Sequence, residues 1–169
     1  MKVIKTWLNG WVTSHRMHED HALKCLFGCG DGSLDSMNHY IHCPHLFAFQ
    51  SFLFENVAVD PLIRFGIKRT QTHTLMVLSC VFSAYHALKS EVRSGKINMH
   101  ASGWIKNAWS VTANALKAEA GEMRISTRAF SLPKFIRFLT HNRMLSLTPP
   151  ICDNSCLPAN SCTNSCTHQ

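Results

Sequence analysis

The chain has 169 residues, a net charge of +7 and a pI near 9.1, which suits one domain or a small module with a helical body. Its 46% hydrophobic content supports a core, while its 16% of charged residues falls below the roughly 25% usual in soluble domains, as expected of a piece whose apolar faces meet other parts of something larger. Five Asp and five Glu in the whole chain leave little for paired-carboxylate catalysis, the positive balance favours polyanions, nucleic acid before anionic membrane, and no stretch reaches the roughly 20 apolar residues of a membrane span.

Residues 2 to 13 predict an amphipathic helix, because Val3, Ile4, Trp7, Leu8, Trp11 and Val12 recur on one helical face while Lys2, Lys5 and Asn9 fall off it. Trp7 and Trp11 lie on that face and read as core rather than as platforms for stacked bases. The same stretch lacks the continuous apolar run of a secretory signal. The chain therefore reads as intracellular, nuclear or cytoplasmic, where thiols stay reduced and eight cysteines point to metal rather than disulfides. Residues 14 to 24, with His15, His18 and His21, read as a connector or short helix, and residues 25 to 43 hold a Cys/His cluster with Gly28, Gly30 and Gly32 as turn formers. Leu46 to Phe54 fits a short helix packed on that cluster, and Asp60-Pro61 marks a break.

Thr72 to Val92 is the strongest predicted helix, with Leu78, Val81, Tyr85, Leu88 and Val92 as one stripe and Gly95 as its stop. A second long helix spans about 101 to 120, with Trp104, Ala108, Val111 and Ala115 as its inner row and Gly121 as its C-cap. The two should pair as an antiparallel hairpin. Ser131-Leu132-Pro133 starts a further helix to about Leu145. The Pro, Ser, Asn, Thr and Cys-rich residues 149 to 169 should be disordered. The expected fold is mainly α: a small CCHC zinc knuckle followed by a helical bundle and a disordered Cys-rich tail. The expected organisation is an N-terminal helix and knuckle over 1–56, a helical region over 57–148 and the tail over 149–169.

The cluster reads Cys25-x3-Cys29-x9-His39-x3-Cys43. Zinc takes four soft or borderline donors in a tetrahedron, and short Cys pairs on tight turns supply two at once. His39 and Cys43 are four apart and share a face on a helical turn, though His42 also flanks Cys43 and could replace His39. Four filled positions make the zinc structural rather than catalytic. Cys152, Cys156, Cys162 and Cys166 form a second set with little apolar support, and Cys80 reads as core. His73, His86 and His141 have no nucleophile or acid at a motif spacing, and no P-loop, G-x-S-x-G or H-E-x-x-H occurs.

The stretch Trp7-Leu8-Asn9-Gly10-Trp11, Ser14-His15-Arg16-Met17, Cys25-Leu26-Phe27-Gly28-Cys29 and Asn38-His39-Tyr40-Ile41-His42-Cys43-Pro44 resembles the zinc-knuckle region at the C-terminal end of reverse transcriptases from LINE-type (non-LTR) retrotransposons. The likeness covers residues 5 to 50 and continues more loosely at Tyr85-His86-Ala87-Leu88-Lys89. It implies a CCHC zinc site on Cys25, Cys29, His39 and Cys43 and the handling of RNA or DNA beside a polymerase core. The polymerase palm and its paired-aspartate motif are absent, so the expectation is a detached, non-enzymatic fragment. Lys2, Lys5, Arg16 and Lys24 near the knuckle, and Arg124, Arg128, Lys134, Arg137 and Arg143 in a stretch without acidic residues, are the candidate phosphate contacts. The alternatives are a helical fragment that docks on missing polymerase domains through the apolar faces of residues 72 to 120, or a remnant of a degenerate element without function.

Overall fold

The computed structural model describes residues 1–30 and 32–142. The tail, with Cys152, Cys156, Cys162 and Cys166, and also Arg143, lies outside the described residues. Among them the chain is mainly helical, and pairing of extended backbone is limited to one isolated antiparallel bridge between Lys24 and Leu34. No described helix is long and apolar enough to cross a membrane.

The first helix, α1, spans Lys2–Trp7 rather than 2 to 13. It closes in a Schellman arrangement: Asn9 takes φ 54° and donates its N–H to the Thr6 carbonyl at 3.0 Å, and the Gly10 N–H reaches the Lys5 carbonyl. A side chain at Gly10 would bring a Cβ within 2.6 Å of that carbonyl oxygen, so the local sequence ends the helix despite its continuing apolar period. The early stop separates the two tryptophans. Trp11 leaves the helix and is fully buried, whereas Trp7 stays 46% exposed, against the expectation that both are core.

Helices α2 (Met37–His42) and α3 (Pro44–Leu53) are separated only by Cys43, which ends the first and caps the second. Pro44 takes the first position of α3, where a missing N–H does no harm. The Asp60-Pro61 break starts a short helix, α4 (Pro61–Arg64), with the Asp60 carboxylate accepting the Leu62 N–H at 2.8 Å. Helix α5 spans Thr72–Arg93, and Gly95 follows at φ 76°. Helix α6 spans Trp104–Glu122 and runs past Gly121. Its C-cap is Met123, and the left-handed residue that follows is Arg124 at φ 55°, with the Ile125 N–H on the Ala120 carbonyl at 2.8 Å. Ile125 packs against the core, an apolar contact of the kind that commonly accompanies such a cap. Helix α7 spans Leu132–His141, with Pro133 in its first turn.

Helices α5 and α6 pair as expected, with Leu78, Val81, Tyr85 and Leu88 of α5 fully buried, but the fully buried row of α6 is Ala108, Thr112 and Leu116, while Trp104, Val111 and Ala115 of the expected row are only partly buried. Helices α3 and α7 meet through aromatic rings, Phe49 stacking on Phe135 at 4.2 Å between centroids and Phe52 meeting it edge-on at 5.3 Å. Burying one such ring contributes about 1.5–3 kcal/mol. A single buried cluster runs from Trp11 to Leu139, so packing is continuous across residue 56.

Candidate metal centre

The local sequence builds the site from both ends. The Cys25 N–H donates to the Ser33 carbonyl at 2.7 Å and the Asp35 N–H to the Leu23 carbonyl at 2.8 Å, which pins the base of the loop. Gly28 turns it at φ 86°, with its N–H on the Cys25 carbonyl at 3.1 Å. A Cβ at Gly28 would also lie 3.2 Å from the Ile105 side chain of α6, so this position needs glycine for both conformation and clearance. On the other side, the Ser36 hydroxyl caps α2 by accepting the His39 N–H at 3.2 Å. That fixes the helical turn on which His39 precedes Cys43.

The Sγ atoms of Cys25 and Cys43 are 3.8 Å apart, and those of Cys29 and Cys43 are 3.4 Å apart. The three sulfurs and a ring nitrogen of His39 all lie within 4.8 Å of one another. An S–S edge of about 3.8 Å is what a tetrahedron with metal–sulfur bonds of about 2.3 Å requires. All three cysteines are buried. The His39 Nε2 is buried too, without a hydrogen bond of normal geometry to any described group, an arrangement that a metal bond would satisfy. His42 is exposed and outside the cluster, so the histidine grouped with the three cysteines is His39. The Leu46 N–H points at the Cys43 sulfur at 3.3 Å, the backbone support typical of a ligating thiolate. Burial pushes the Cys25 and Cys43 thiols up, while hydrogen bonds from those two hold Cys29 down. This Cys3His set could hold a metal ion.

The cluster is tied to the helical body by buried polar groups that sequence reasoning missed. Asp35, fully buried, accepts from the Tyr40 hydroxyl at 2.7 Å and the Tyr85 hydroxyl at 3.1 Å through Oδ1. Its Oδ2 accepts from the Ser14 N–H at 2.8 Å and the Lys89 ammonium at 2.7 Å. Lys89, 1% exposed, also reaches Glu19 at 3.3 Å, and Glu19 pairs with Arg93. Burial, with Cys25 and Asp35 nearby, raises the Tyr40 phenol well above its ordinary range, and burial beside Asp35 raises that of Tyr85. The Phe27 carbonyl accepts from His45 Nδ1 at 2.9 Å and from the Trp109 indole of α6 at 3.0 Å. The available signal was a lysine at position 89, four residues after Tyr85 on the apolar stripe.

The candidate phosphate contacts are not equivalent. Lys5, Arg16, Lys24, Arg124, Lys134 and Arg137 are exposed. Lys2 is half-buried and paired with Glu119. Arg128 is exposed, but its guanidinium reaches the Ser51 carbonyl at 3.4 Å and Glu55 at 4.0 Å. Lys134 and Arg137 are three apart on α7 and share its solvent side. Among the other histidines, His86 is partly buried and held below its ordinary range by burial, and His141 is exposed. No family model, curated protein or solved structure matches the chain.

Proposed function

We propose that the chain is a non-catalytic nucleic-acid-binding module, akin to the C-terminal region of a LINE-type reverse transcriptase, whose fold is held by one structural zinc on Cys25, Cys29, His39 and Cys43. The observation that carries the binding reading is the stretch from Met123 to Asn142, which holds Arg124, Arg128, Lys134 and Arg137, all exposed, and no acidic residue. Three thiolates and an imidazole are the donor set zinc favours, and with every position filled by protein the ion would have no site for a reacting water. The resemblance over residues 5 to 50 points the same way. The docking alternative placed its contact on the apolar faces of residues 72 to 120. Those faces are spent on the protein's own core, and the most exposed large apolar side chains, Ile4, Trp7, Leu8 and Ile67 among them, lie elsewhere.

The test has two parts. Elemental analysis should find one zinc per chain, lost in Cys25→Ser/Cys29→Ser. The log of the association constant for an oligonucleotide should fall with log salt by about 0.7–0.9 per phosphate contacted, and a flat salt response would rule out phosphate recognition.

A further inference from the structure

The early end of α1 opens a groove of about 590 Å³ between α1, α2 and the segment after α4, lined by Trp7, Met37, Ile41, Phe65, Gly66 and Ile67. Its size falls in the range of ligand-binding clefts. Trp7 is its one large aromatic with substantial exposure, at 46%. The indole is fixed from one edge: its N–H donates to the Phe65 carbonyl at 2.9 Å, and Gly66 lies so close that a Cβ there would meet the ring at 3.4 Å. That leaves an oriented ring whose hydrogen-bonding edge is already satisfied and about half of whose residue surface is exposed.

The groove wall itself carries no charged side chain, and the charges beside it are mostly basic, with Asp60 the acidic exception. The segments that line it, residues 1–10, 36–42 and 61–73, contain no Asp or Glu. Lys68 and Arg69 are exposed and lie between the lining residues Ile67 and Thr70, whereas the exposed Lys5 sits close enough to His86 of α5 to act on it. Lys68 shares a solvent-exposed contact with Asp60 at 3.5 Å, and Lys5 and Arg69 have no ion pair among the described residues. An apolar protein segment would gain nothing from this rim, whereas a polyanion with flat apolar faces matches both of its properties.

We propose that this groove binds an unpaired base of single-stranded nucleic acid, stacked on Trp7, with a flanking phosphate on Lys68 and Arg69. The site rests on the nucleic-acid reading above and extends it, since it lies apart from the Arg124–Arg137 run in sequence and selects for single strands. A base in a duplex cannot present its face to the indole, and stacking of one base on an aromatic side chain changes affinity roughly 5- to 100-fold.

The experiment compares the full chain with Trp7→Ala, Trp7→Phe and Lys134→Ala/Arg137→Ala, binding oligo(dT), oligo(rU) and a duplex of equal length at one salt concentration. The expected result is a roughly 5- to 100-fold loss of single-strand affinity in Trp7→Ala, most of it recovered in Trp7→Phe, with duplex affinity unchanged. If Trp7→Ala binds single strands like the parent while Lys134→Ala/Arg137→Ala weakens them, the groove site is wrong and the broader reading stands. If the parent binds neither form, both fall. If the chain self-associates and Trp7→Ala makes it monomeric, the groove is a protein contact and the proposal is overturned. Should circular dichroism show Trp7→Ala to be misfolded, Ile67→Glu places a negative charge in the groove from an exposed position. Loss of single-strand binding then supports the site, and unchanged binding removes it.

Discussion

Residues 11–43 and the α5–α6 pair are held together by different means. The first region has one helix of six residues and one isolated bridge, far too little regular structure to persist alone. Besides the buried Trp11, Leu26, Phe27 and Tyr40, it relies on a short list of polar groups: the four side chains of the candidate metal site and a buried aspartate with four partners. The α5–α6 pair, with helices of 22 and 19 residues, is held by rows of apolar side chains that each contribute a share. In the first region the loss of one group strands its buried partners. In the second, a truncation leaves a cavity and a graded loss. The two regions are also joined, because Tyr85 and Lys89 of α5 complete the Asp35 network.

The largest way to break that comparison is to remove the metal site. A structural zinc contributes about 10–16 kcal/mol at neutral pH, as much as or more than the whole stability of a typical domain. Cys25→Ser/Cys29→Ser should abolish amide protection over residues 23–43 in hydrogen exchange. Protection around Tyr85 and Lys89 should fall with it, while the rest of α5 and α6 is less affected. Full protection at Tyr85 and Lys89 in that variant would show the two regions to be independent.

Next in size is the joint itself. Asp35→Asn leaves the buried Lys89 ammonium with only the part-exposed Glu19 as a charged partner, so the loss should approach but not exceed the about 3–5 kcal/mol of a fully broken buried pair. Urea denaturation should show that loss, and Asp35→Asn/Lys89→Met should recover part of it, giving a coupling of at least about 1 kcal/mol in a double-mutant cycle. Leu116→Ala, in the apolar row of α6, should cost a comparable 2–5 kcal/mol yet leave zinc content unchanged. If Asp35→Asn also leaves zinc affinity unchanged, the network supports the helices rather than the metal loop.

The contrast between the regions also explains what was legible in the sequence. Helices α5 and α6 announced themselves because apolar period is a local property that burial enforces. The Cys3His grouping was legible because metal coordination restricts both residue type and spacing. Choosing His39 over His42 required the Ser36 cap, which sets the phase of α2. Apolar period misled at α1, where Asn9 and Gly10 override it through a backbone closure that depends on single residues. The Asp35 network was hidden because its members are spread over residues 14 to 89, and no local pattern reports that a tyrosine, a lysine and an aspartate will meet.

The smallest effect separates fold from binding at a single residue. Arg124 holds the left-handed position that ends α6 and is also a candidate phosphate contact. An arginine there bears a conformational cost of about 1 kcal/mol relative to glycine. Arg124→Gly should therefore raise stability by up to about 1 kcal/mol, read as a higher melting temperature. If Arg124 touches a phosphate, the same change should lower the salt slope of nucleic-acid binding by about 0.7–0.9. A rise in stability with an unchanged slope would make Arg124 a part of the helix terminus alone and confine the basic surface to Arg128, Lys134 and Arg137. A fall in stability would mean that the arginine side chain makes contacts worth more than the strain of its backbone, so that the side chain, and not only the backbone closure from Ile125 to Ala120, holds the turn.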